Sequence, residues 1–225
     1  RDVIIVASVS CIYGLGSPEE YEKRVVLLAQ GEEHDRDLVL RKLVDIQYAR
    51  NDTLLGRGKF RVKGDVVEVQ PAHMESAYRI SFFGDEVEQI SHFDPLTGEV
   101  LAKLDNVAIW PATEYVTSRP TIERAVDEIR DELRGRVKEL ESEGKMLEAH
   151  RLRQRTEYDL EMMKELGFCN GIENYSQILE GRPPGSHPFT LLDYFPEDMV
   201  VFVDESHQTV PQLGGMHEGD RSRKQ

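Results

Sequence analysis

Three rhythms of apolar and polar residues follow one another along the chain, and each selects a different kind of element. Residues 2–9 and the run Met199-Val200-Val201-Phe202-Val203 are mainly apolar, β-branched stretches bounded by polar residues. That is the pattern of strands covered on both faces of a parallel sheet. From Lys59 the period becomes two: Phe60 and Val62, then Val66, Val67 and Val69, flank Lys63-Gly64-Asp65, which reads as a hairpin turn. Residues 78–83 and 87–93 repeat the pattern across Gly84-Asp85, and 107–110 is expected to close the sheet with Trp110 in its core. From Pro120 the period lengthens again. Ile122, Ala125, Val126, Ile129, Leu133, Val137 and Leu140 recur every three or four residues, predicting a long helix that Gly144 breaks. Residues 146–166 continue helically to Gly167, and Arg182-Pro183-Pro184-Gly185 forms a rigid polar connector.

Helix starts are also written in the first half. Ser17-Pro18-Glu19-Glu20 combines an N-cap serine, a proline at the first helical position and a glutamate that closes a capping box, so a helix is expected to about Gln30. Leu38, Val39, Leu43, Val44 and Ile46 predict a second helix over 35–50, with Asp35 or Asp37 as its cap. Residues 17 to about 115 therefore read as an α+β module of two helices and an antiparallel sheet.

Composition narrows the partners. Hydrophobic residues make up 39% and charged residues 31% of a 25.8 kDa chain, a balance that folds without staples. Lys and Arg number 28 against 42 Asp and Glu, a formal charge of -14 that repels a phosphate backbone unless basic residues gather locally. No apolar run approaches the roughly 20 residues of a membrane span, and no signal-peptide layout opens the sequence, so a soluble chain is expected. Cys11 and Cys169 lack the paired spacing of a disulfide framework or a zinc site, which fits a reducing cytoplasm. The helix over 122–143 interleaves Arg124, Arg130, Arg134 and Lys138 with its acids, the pattern of a solvated face.

The chemistry concentrates at Asp204 and Glu205, which close the second apolar run. In a helicase-type NTPase such a pair serves Mg²⁺ on the nucleotide phosphates and orients the attacking water. A strand end capped by solvated acids is the alternative. The phosphate-cradling pattern Gly-x-x-x-x-Gly-Lys-Ser/Thr occurs nowhere in the 225 residues, so this segment alone is expected not to hydrolyse ATP.

Four blocks carry a family resemblance. Val203-Asp204-Glu205-Ser206-His207, with Pro211-Gln212 and Gly219-Asp220-Arg221-Ser222-Arg223-Lys224-Gln225, resembles the second helicase motif of the UvrB family, the damage-verifying subunits of bacterial nucleotide excision repair. Residues 7–16 (Ala-Ser-Val-Ser-Cys-Ile-Tyr-Gly-Leu-Gly), 171–176 (Gly-Ile-Glu-Asn-Tyr-Ser) and 181–185 (Gly-Arg-Pro-Pro-Gly) agree. The resemblance implies an α/β plus α+β fold: a RecA-like P-loop NTPase domain of superfamily 2, interrupted by an α+β UvrA-docking module and a helical insertion. It places 1–16 and 189–225 in the RecA-like domain, 17–116 in the docking module and 117–188 in the helical insertion.

By the same resemblance Asp204 would serve Mg²⁺, Glu205 would activate water, and Ser206 and His207 would couple the nucleotide and DNA sites. Arg50 and Arg61 match UvrA-contacting arginines, and Lys63 stands where relatives carry arginine, without the planar fork. Ser8 and Ser10 are candidates for DNA phosphates, and Arg221, Arg223 and Lys224 form a basic cluster suited to DNA or an acidic surface. ATP and Mg²⁺ as cofactors, and UvrA, UvrC and damaged DNA as partners, are implied for an intact relative in the bacterial cytoplasm. Two alternatives stand beside this reading: the related module of transcription-repair coupling factor, and a free-standing nucleic-acid-binding protein. Residues 203–207 and 171–176 favour the UvrB family.

Overall fold

The two-residue rhythm becomes a six-stranded sheet. The computed structural model describes residues 3–12, 15–113, 115 and 117–223, apart from the side chains of 11 and 220–223. Tyr13, Gly14, Lys224 and the side chains of Arg221 and Arg223, which belong to the motifs above, lie outside what is described. The chain divides into two units, residues 19–116 and residues 1–18 with 117–225.

The first unit runs α1 (Pro18–Glu22), β1 (Val26–Ala29), α2 (Arg36–Asp45), β2 (Ala49–Arg50), β3 (Lys59–Lys63), β4 (Val66–Gln70), β5 (Ala77–Phe83), β6 (Glu86–Phe93), β7 (Val100–Leu104) and β8 (Asn106–Ile109). Strands β2 to β7 form one sheet in sequence order, with only the β2 to β3 pair parallel. Both predicted hairpins form across two-residue turns whose leading glycines, Gly64 and Gly84, sit at φ 60° and 61°. Phe60, Val67, Val69, Ile80, Phe82, Val87 and Ile90 bury one face of the sheet with Val39 and Leu43 of α2. Burial of each such side chain contributes about 1.5–3 kcal/mol.

Three expectations need correction here. The helix expected from residue 17 to 30 stops at Glu22, and residues 26–29 form β1, which pairs antiparallel with β8. A helix this short is marginal by itself. Alternation places Val26 and Leu28 in the core and Leu27 outside, so a strand buries more apolar surface. The second helix begins as expected, with Asp35 accepting from the Leu38 amide at 3.0 Å, but it ends at Asp45. Gln47 turns the chain at φ 69°, and Ala49 and Arg50 join β3 as an edge strand. Finally, β7 rather than 107–110 completes the large sheet, and Trp110 is 38% exposed, stacked on Tyr21 with ring centroids 5.6 Å apart.

In the second unit the long helix forms as α3 (Arg119–Ser142), capped by the Ser118 hydroxyl, and all seven periodic apolar residues are buried. Gly144, at φ 76°, turns the chain into α4 (Met146–Leu166), which packs back along α3 through Leu133, Val137, Leu140, Ala149 and Leu152. Gly171 adopts φ 80°, a left-handed conformation that strains any residue with a Cβ. The Tyr175 hydroxyl donates to buried Asp159 at 2.8 Å, and α5 (Ser176–Leu179) follows. Arg182 ties the proline connector together by donating to the Ser186 and His187 carbonyls at 3.0 and 2.9 Å and to the Ser176 hydroxyl at 3.0 Å. The chain ends in α6 (Ser206–Arg223).

The parallel strands expected at 2–9 and 199–203 are absent: the described residues of this unit pair into no strand. Ile4, Val6 and Phe202 are 92%, 94% and 90% exposed. A parallel strand needs hydrogen-bonding neighbours and a covering layer on each face, and the described residues supply neither.

Candidate recognition face and acidic motif

Strand alternation that sends Phe60 and Val62 into the core sends Lys59, Arg61 and Lys63 to the opposite face of β3. Register then places Arg61 opposite Glu68, Glu68 opposite Arg79, Arg79 opposite Ser91 and Ser91 opposite Lys103, a polar row across five strands. Glu68 is its centre. One of its carboxylate oxygens accepts from the Arg61 Nε, and the other accepts from the Arg79 Nε at 2.7 Å. The Glu68 side chain is 6% exposed, against 18% for Arg61 and 30% for Arg79. Burial opposes ionisation of Glu68, but the two arginine hydrogen bonds and charges outweigh it and hold its carboxyl below the usual range. The Arg79 guanidinium carbon also lies 4.2 Å from the centre of the Phe93 ring, a cation–π contact.

Arg50, Arg61 and Lys63 fall on two sides of the sheet. Arg61 and Lys63 share this face, and Lys63 is exposed. Arg50 is level with Phe60 on the edge strand, so register places it on the other side of the sheet. It pairs with Asp52 at 3.0 Å, and Asp52 also accepts from the Val62 amide at 3.0 Å. That arrangement raises the Arg50 pKa and lowers that of Asp52 through their shared hydrogen bond. Arg61, expected as an exposed contact, is largely enclosed by its pairing with Glu68. Sequence reading missed Glu68 and Arg79. Their alternation against Val67, Val69 and Ile80 was visible, but the strand register that joins them to Arg61 was not.

The acidic motif has a different character. Asp204 and Glu205 sit in an exposed turn before α6, and Glu205 adopts φ 46°. Asp204 accepts from the Glu205 amide at 2.9 Å, and the Thr209 hydroxyl donates to the Asp204 carbonyl at 2.9 Å. His207 lies 3.4 Å from Glu205, and Ser206 opens the helix, exposed. Among the described residues, no group of three or more His, Cys, Asp or Glu is arranged to hold a metal. The Ser8 and Ser10 hydroxyls are hydrogen-bonded to each other at 2.7 Å on an exposed stretch. Cys169 is buried, and loss of solvent pushes its thiol up to about 12, which leaves it unreactive.

Arginines held on a buried acid at a sheet face thus present hydrogen-bond donors, in contrast to the exposed acids of the second unit. Residues 26–115 match the UvrB interaction domain and residues 120–181 match the UvrB third helical domain. The chain is 61% identical along its whole length to UvrABC system protein B of Caldanaerobacter subterraneus and to that of Geobacillus kaustophilus. It is 59% identical to that of Mycobacterium tuberculosis. It spans about a third of the length of these relatives, 34%, 34% and 31% respectively. With two successive UvrB domains and this identity throughout, the chain belongs to the UvrB family. No helix among the described residues is long and apolar enough to cross a membrane.

Proposed function

We propose that the chain is a docking segment of a UvrB-type protein that binds UvrA through the polar face of β3 to β5, in nucleotide excision repair in the bacterial cytoplasm. The observation that carries this reading is the Arg61–Glu68–Arg79 row, displayed within residues matched to an interaction domain. Lys63 adds an exposed charge to the same face. Arg50 supplies a second contact from the sheet edge.

In this reading residues 1–16 and 189–225 belong to a RecA-like domain completed by other parts of a longer polypeptide, and 117–188 form its helical insertion. The exposed apolar runs support it, because 3–6 and 200–203 carry strand sequences without strand partners. Damage verification with ATP and Mg²⁺, the roles of Asp204, Glu205, Ser206 and His207, contacts of Ser8 and Ser10 with DNA, and handover to UvrC belong to that longer polypeptide. By itself this chain is expected not to turn over ATP, and turnover abolished by Asp204→Ala would contradict that.

Calorimetric titration with UvrA tests the docking role. Wild-type chain is expected to bind, and Arg61→Ala to bind at least tenfold more weakly, as for a charged interface contact. Binding to DNA without affinity for UvrA would contradict it.

A further inference from the structure

We infer that Glu68 is a positioning residue of the docking face: it holds Arg61 and Arg79 side by side with their outer guanidinium edges turned to the partner. The inference rests on the UvrA-docking reading and adds to it a residue that need not touch the partner. Each arginine gives its Nε to a different oxygen of one carboxylate, so Glu68 sets the spacing of the pair as well as its orientation. Both of these bonds use Nε, so neither takes up an Nη group. The carboxylate stays fixed because its side chain is almost wholly buried between β3 and β5. Arg79 has a second constraint in the Phe93 ring beneath it.

The consequence is preorganisation. A free arginine loses rotamer freedom when a partner captures it, and ordering two of them in advance removes that cost from binding. A fork held in place can also meet a carboxylate with two parallel hydrogen bonds. Glu68 opposes this advantage in one respect, since it cancels one of the two positive charges. Removing it makes the face more basic, which by Coulomb attraction alone would strengthen and speed association with an acidic partner. Positioning and simple charge therefore predict opposite signs for the same substitution.

The test is titration of UvrA with the whole chain carrying Glu68→Gln, Arg61→Ala, the pair Arg61→Ala/Arg79→Ala, and the triple combination, with circular dichroism on each. Glu68→Gln is expected to weaken binding about tenfold, and that loss should vanish in the Arg61→Ala/Arg79→Ala background. Affinity equal to or above wild type for Glu68→Gln would overturn the inference. So would a loss that persists without the two arginines, because Glu68 would then act through the fold alone. Glu68→Asp covers the case in which Glu68→Gln unfolds: it keeps the charge but is too short to span both Nε groups, so weaker binding is expected and wild-type affinity would overturn the inference. Arg61→Ala separates the two levels. If it leaves affinity unchanged, the docking reading fails. If it weakens binding while Glu68→Gln does not, positioning alone fails.

Discussion

Residues 59–70 and residues 199–203 draw on the same β-forming vocabulary and end in opposite states. Val67 and Val69 are completely buried in a sheet, whereas Val200 and Phe202 stand 76% and 90% exposed outside any strand. The difference is partners. β3 and β4 meet across a two-residue turn, so their ladder closes at little entropic cost and a hydrophobic face assembles locally. Residues 3–8 and 199–203 would have to find each other across nearly the whole chain and then be covered on two faces. Strand propensity states what fits a pleated, half-buried surface, and it does not create that surface.

The largest expected effect breaks the sheet. Phe60→Ala should cost about 3–5 kcal/mol, read as a lowered urea midpoint in the fluorescence of Trp110, the chain's single tryptophan. Phe202→Ala should move the same transition by less than about 0.5 kcal/mol. A comparable loss from both would mean that the exposed run is part of the folded core.

Arg61→Glu and Arg50→Glu separate the two arginines next. Arg61→Glu sets a second carboxylate against buried Glu68 and should destabilise the first unit by roughly 2 kcal/mol as well as weaken docking. Arg50→Glu, on the exposed edge, should leave the urea midpoint in place and affect only binding. An Arg61→Glu variant as stable as wild type would show that the clamp contributes nothing to the fold.

Acid titration sharpens the same point. Glu68 is ionised at lower pH in the folded chain than when unfolded, so its contribution is present above the ordinary carboxylate range and is lost as pH falls through its depressed value. Glu68→Gln should therefore flatten the pH dependence of stability on the acid side. An unchanged slope would place the acid sensitivity elsewhere. The smallest effect is local: Ser118→Ala should cost about 1 kcal/mol by removing the α3 cap, with no change in the sheet transition.

Much of this fold was legible in residue order. The period of α3 named its seven buried residues, and Gly64 and Gly84 marked both hairpins. Failures arose where a distant partner decided the outcome. Residues 26–29 left a helical pattern to pair with 106–109, and 100–104, with little alternation, were recruited as the sheet's last strand. The candidate face was half legible for the same reason. Arg61 was found by resemblance, while Glu68 and Arg79 required the register that brings three strands together.

Hydrogen exchange of the chain with and without UvrA tests the docking face most directly. The account predicts new protection concentrated in residues 59–83, with α3, α4 and residues 200–203 unchanged. Protection confined to the helices, or none on the sheet at saturating UvrA, would contradict it.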